Sequence, residues 1–159
     1  MRKLLALFTV FIIIFFNGCS KEEKFGVEQF VDRINKTYKA EYKTSDFLLG
    51  KNQQEENFLF YEEDNTMVIL ILNNENQVVG TSLLITDNNI MEEYINKFCR
   101  MASILTNLDY QKQIEILEQC EINESNIKNT DSNFTITVGK YKYSVVSNNY
   151  SITLFCERV

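Results

Sequence analysis

Side chains that could carry chemistry are few and poorly grouped. The chain has no histidine, so proton transfer would fall to carboxylates, lysine or tyrosine. The densest acidic group is Glu62-Glu63-Asp64. Carboxylates that are neighbours in a polar turn are ordinarily solvated, and a binding turn for a cationic partner suits them better than an acid–base pair. The four cysteines, Cys19, Cys99, Cys120 and Cys156, contain no Cys-x-x-Cys spacing. Without histidine, a zinc site is not expected, and a cysteine nucleophile would lack its usual base. Asp87-Asn88-Asn89 offers oxygen ligands but lacks the glycine and the closing glutamate of a calcium loop, and it reads as a helix cap. The five glycines are scattered, so no loop is set to cradle phosphate. Tyr141, Tyr143 and Tyr150 could line a binding face, yet tyrosine on antiparallel strands is ordinarily sheet packing. No catalytic residue, cofactor or metal site is assigned, and a non-enzymatic role is expected.

The elements that must position these residues show in the spacing of apolar positions. Val27, Phe30, Val31, Ile34 and Tyr38 recur at helical intervals. Four β-like segments follow: Tyr42 to Leu49, Phe58 to Tyr61, Met67 to Leu72 and Gln77 to Thr86. The polar stretches Glu62 to Asn65 and Asn73 to Asn76 supply turns between them. Met67 to Leu72 is continuously apolar, as in a strand buried on both faces. Gly80 marks a bulge or a close approach. Asn89, with Glu92 three residues on, resembles a capping box. Met91, Ile95, Phe98, Ala102 and Leu105 then mark a helix, Asn107 to Asp109 breaks it, and Tyr110, Ile114 and Leu117 continue as a second. After a polar loop from Ser125 to Asn133, strands return at Phe134 to Val138, Tyr141 to Val146 and Tyr150 to Cys156. The order α-ββββ-αα-βββ predicts an α+β domain. Its antiparallel sheet has about six or seven strands, with the N-terminal helix and the central helical pair packed on one face.

At the N-terminus, Arg2 and Lys3 precede an apolar run from Leu4 to Phe16 and then Asn17-Gly18-Cys19-Ser20. A basic head, an apolar core and a small residue before the break form a secretory signal. The run of about 13 residues falls short of the roughly 20 that span a bilayer. The Gly18-Cys19 junction resembles the lipobox of bacterial lipoproteins, with Phe16 and Asn17 departing from the usual pattern. The resemblance covers the first twenty residues and implies cleavage after Gly18 and diacylglycerol on Cys19. Two acyl chains give stable anchoring where one does not. The expected organisation is a signal peptide over 1–18, a lipidated tether over 19–25 and a single domain over 26–159. The expected location is the cell membrane, lipid-anchored at its extracytoplasmic face. With Cys19 acylated, Cys99, Cys120 and Cys156 remain, either three buried thiols or one bridge and one thiol. The chain has no proline and much asparagine, isoleucine and lysine, a bias that fits a low-GC Gram-positive host.

Removing Arg2 and Lys3 leaves 14 basic against 22 acidic residues, a net charge of −8. That balance argues against nucleic acid. The acid is concentrated. Between Asn52 and Asn96 lie Glu55, Glu56, Glu62, Glu63, Asp64, Glu75, Asp87, Glu92 and Glu93, with no lysine or arginine. The expected function is that of a membrane-anchored interaction module whose sheet, acidic turns or helical hairpin bind a protein or other macromolecule, or a peptide. One sharper alternative is an immunity-type lipoprotein sequestering a cationic peptide. The other is a carboxylate enzyme, which requires two acids converging in a pocket. Hairpin geometry places Glu62 to Asn65 at one end of the sheet, and Glu55, Glu56 and Glu75 at the other.

Overall fold

The structure, a computed structural model, describes residues 24–86, 91–120, 132–148 and 150–159. Residues 25–38 set the first elements. A two-residue strand β1 (Phe25–Gly26) leads into helix α1 (Val27–Tyr38), whose Phe30, Val31 and Ile34 are buried. Gly26 caps α1, and its backbone N–H donates to Gln29 Oε1 at 3.3 Å. The segment expected to form a strand from Tyr42 does not. A 3-10 turn, Thr44–Asp46, intervenes, and the strand β2 is confined to Leu48–Lys51. The reason is local. Asn35 Nδ2 donates to the Tyr42 carbonyl at 2.6 Å, and the Tyr42 N–H donates to Asn35 Oδ1 at 3.0 Å. One side chain on α1 thus supplies both backbone partners that a neighbouring strand would have offered.

Strands β3 (Asn57–Glu63), β4 (Thr66–Leu72) and β5 (Gln77–Ile85) form a meander. The β3–β4 turn is tighter than the sequence indicates. Glu63 pairs with Thr66 across Asp64 and Asn65, so Glu62 and Glu63 belong to the strand. Asp64 takes the left-handed conformation, φ 46°, which short polar side chains tolerate. The β4–β5 turn is held by Asn73 Oδ1, which accepts from the N–H groups of Glu75 and Gln77, each at 2.9 Å. The ladder slips between Ile71 and Leu72, which pair with Gly80 and Val78. This is the bulge that Gly80 marks. A Cβ there would lie 2.9 Å from Ile71 Cδ1 and 3.0 Å from Glu157 Cβ.

Helices α2 (Met91–Thr106) and α3 (Tyr110–Gln119) follow, then β6 (Ser132–Val138), β7 (Tyr141–Ser147) and β8 (Ile152–Arg158). Asp109 caps α3, accepting from the Lys112 N–H at 2.8 Å. The eight strands form one antiparallel sheet in the order β2-β3-β4-β5-β8-β7-β6, with β1 also paired to β5. The fold is α+β.

Cross-strand register assigns the two faces. Leu59, Leu70, Thr81, Cys156, Tyr143 and Ile136 follow one another across the sheet on one face. The helices lie on this face. Thr81 Oγ1 meets Met101 Sδ of α2 at 3.7 Å, and the Tyr143 hydroxyl meets Gln113 of α3. Tyr42, tied to α1 through Asn35, stacks edge-on against Tyr61 with centroids 5.6 Å apart. Phe98, Leu70, Leu83, Leu154 and Ile152 are fully buried between the layers. The capping reading of Asp87 to Asn89, the Gly18-Cys19 junction and the loop from Ser125 to Asp131 lie outside the described residues.

Candidate functional site

The Glu62-Glu63-Asp64 group does not converge. Successive strand residues point to opposite faces. Glu63 turns toward the helices and forms an ion pair with Lys97 of α2. Glu62 pairs with Met67 on the other face and is exposed. Asp64 sits at the exposed turn tip. Lys97 also lies 5.5 Å from the centroid of the Tyr42 ring. Burial pulls the Lys97 ammonium down, but bonding to Glu63 and Tyr42 more than offsets this and holds it above its ordinary value. Burial likewise raises the Tyr42 hydroxyl, opposed by Lys97. This trio is a charged clamp between α2, the β3–β4 hairpin and the segment after α1. A lysine held protonated in this way is a poor nucleophile or base.

The described cysteines lie in the core. Cys99, Cys120 and Cys156 are buried and free. Burial pushes the Cys99 and Cys156 thiols up to about 12. The three tyrosines divide. Tyr143 is fully buried, Tyr141 donates to the Leu105 carbonyl at 2.9 Å, and Tyr150 is 85% exposed. Among the described residues, no three metal-binding side chains cluster, and no helix is long and apolar enough to cross a membrane.

A cavity of about 330 Å³ opens at the end of the sheet where the chain enters. It exists because β5 changes partner. Gln77 and Val78 pair with β1, pairing with β8 begins at Gly80, and Val79 lies in the gap. Lys24, Asn73, Gln77 and Arg158 contribute polar groups, with Leu105 and Tyr141 on the helix side. Lys24 is 3.8 Å from Glu75.

A second feature is the sheet face away from the described helices. Register carries Leu48, Phe60, Ile69, Ser82 and Phe155 across it in one row. Phe58 and Ile71 form part of the row on one side, and Met67 and Leu84 part of the row on the other. Phe58, Phe60, Met67, Ile69, Ile71, Leu84 and Phe155 are only half-buried, while Leu48 is 59% and Val146 38% exposed. The Phe58 ring lies against Gly50, where a Cβ would come within 2.5 Å of it. The Phe58 and Phe60 rings sit 5.9 Å apart. At the centre, Ser82 is completely buried, and its hydroxyl has no hydrogen-bond partner among the described residues. Strand β4 thus keeps its continuously apolar sequence, but only its alternate residues Thr66, Val68, Leu70 and Leu72 are covered. The expectation of burial on both faces is corrected to burial on one. The signal for this face was present in the run Met67 to Leu72. The partners of Glu63, Lys97 and Tyr143 had no sequence signal.

Monomeric proteins rarely leave apolar patches of several hundred Å² open unless something binds there. Comparison with known families, with curated proteins and with solved structures finds no match to this chain.

Proposed function

We propose that the chain is an extracytoplasmic lipoprotein held to the membrane by diacylglycerol on Cys19. Its domain is a non-enzymatic binding module that presents the sheet face on which no described helix packs. The observation that carries the binding half is the half-buried apolar centre Phe60, Ile69 and Phe155 on a face that no described helix covers. The basic head, the short apolar run and the Gly18-Cys19 junction carry the anchoring half. Lys24 and β1 enter at the end of the sheet formed by the Asn73 to Asn76 turn, so that end is membrane-proximal and the Asp64 turn is distal. Capture of a cationic peptide by the acidic turn has less support. Glu63 is engaged by Lys97, and Glu62 points to the other face of the strand. The same divergence argues against a carboxylate pair.

Two measurements test this reading. Cells fed an alkyne-tagged fatty acid should label the chain, and Cys19→Ala should abolish the label. Equal labelling of the variant removes the anchor. Gently solubilised membranes run on a native gel should show the protein in a larger complex than Phe60→Lys, whose circular dichroism stays that of the parent. Identical mobility removes the face from the reading.

A further inference from the structure

We infer that the occupant of the open face is a second copy of this chain, packed back to back across a two-fold axis that runs along the strands. The inference rests on the binding reading above and names its partner.

The size of the face fits. The four-residue β2 with β3, β4, β5 and β8, of seven to nine residues each, at about 4.8 Å spacing and about 3.4 Å rise, cover about 550 Å². That is on the order of 1,100 Å² counted over both copies, above the roughly 1,000 Å² that a biological interface should clear. The composition fits as well. Although the domain is acidic, the face carries little net charge. Among the described residues, its charged side chains are Glu62 at one corner and the pair Lys142–Glu157, 3.3 Å apart across β7 and β8. A second copy therefore meets an apolar surface with its own apolar surface, and the acids stay at the rims.

The tether selects the symmetry. Residues 20–24 reach at most about 18 Å when fully extended. Strands of seven residues span about 24 Å. An antiparallel pair would place one anchor beyond the reach of its membrane. A two-fold axis along the strands keeps both tethers at the same end and closes the assembly at two. It also brings Ile69, near the middle of the apolar patch, close to its own counterpart.

The test uses the full chain in isolated membranes. Cysteine is introduced at Ile69, or at Glu118 on the exposed side of α3. A short bis-maleimide is added, because packed sheets lie about 10 Å apart, beyond disulfide reach. Cys99, Cys120 and Cys156 are buried, so the parent chain sets the background. Ile69→Cys should give at least tenfold more dimer than Glu118→Cys, and adding Phe60→Lys should remove the excess. No excess at Ile69→Cys overturns the dimer. A Leu48→Cys variant then separates the two failures. If Leu48→Cys is shielded from an impermeant maleimide while Ile69→Cys forms no dimer, another molecule covers the face and only the self-pairing fails. If it is labelled as fast as Glu118→Cys, the face is bare and the binding reading fails with it. Cross-linking of the parent through Cys19 overturns the anchoring on which the symmetry rests.

Discussion

Tyr143 is fully buried, and its hydroxyl donates to Gln113 Oε1 at 2.9 Å while Gln113 Nε2 donates to Thr106 Oγ1 at 2.7 Å. This chain ties β7 to both α2 and α3. Tyr143→Phe strands a buried carbonyl oxygen, so chemical unfolding should show a loss of about 1–3 kcal/mol. Ser82→Ala removes a hydroxyl that has no partner among the described residues, and it should leave stability unchanged or raise it. Equal losses in the two variants would contradict this assignment. Titration gives a second check. Burial pushes the Cys99 and Cys156 thiols up to about 12 and also raises the Tyr143 hydroxyl. In the unfolded chain a thiol ionises at about 8.5. Above that value the unfolded state has shed protons that the folded state keeps, so stability falls as pH rises. The contribution is intact below about pH 8.5 and should drain away toward about pH 12, read as a falling urea midpoint. A flat midpoint across that window would mean that the thiols ionise in place. The core role of Cys99 and Cys156 could be read from their apolar surroundings in the sequence. The Tyr143–Gln113 and Glu63–Lys97 contacts could not, because each joins residues about thirty positions apart, and only the assembled layers bring them together.

Helix α2 shows which elements were legible. The spacing of Phe98, Ala102 and Leu105 marks its buried face, and all three are buried in the structure. Phe98 has no exposed surface, so Phe98→Ala should cost about 3–5 kcal/mol through lost burial and a residual cavity. Ile95 is half-buried, and Ile95→Ala should cost less. A solvent-like cost for Phe98→Ala, under about 0.5 kcal/mol, would displace α2 from the sheet. The turns were equally legible where the residue type forces a conformation. Gly139 (φ 61°) and Asn76 (φ 55°) occupy the left-handed region expected of such turns. Failures occurred where a side chain replaces a backbone partner or where a ladder continues into polar residues. Asn35 satisfies Tyr42 and ends the strand expected there. Polarity places Glu62 and Glu63 in a turn, yet the ladder with Met67 and Thr66 extends β3 through both. Periodicity reports which residues want burial. It does not report that a charged residue can occupy a strand end when Lys97 waits opposite.

Across the whole molecule, the topology divides the acids. Glu55, Glu56 and Glu75 lie at the end where β1 enters, and Glu62, Glu63 and Asp64 lie near the opposite end. The sequence foretold this division, because alternate hairpin turns fall at opposite ends of a sheet. The run Met67 to Leu72 signals apolar residues on both faces of β4, but it does not foretell which face the described helices cover. The division bears on the partner. Capture of a cationic peptide would be driven by attraction between exposed charges and would weaken as salt screens them. Self-pairing through the open face buries apolar surface against the mutual repulsion of two domains, each with a net charge of −8 once Arg2 and Lys3 are removed. Screening weakens that repulsion and leaves apolar burial intact. The Debye length falls from about 30 Å at 0.01 M salt to about 3 Å at 1 M. Over that range, bis-maleimide dimer from Ile69→Cys membranes should increase or hold steady. Charge reversal of Glu62 and Asp64 to Lys should raise the low-salt yield toward the high-salt value, because it removes like charge at the distal rim without touching the Glu63–Lys97 clamp. A dimer yield that collapses with salt would instead make attraction between charges the source of the association, and would place the contact away from the apolar rows of β3, β4 and β5.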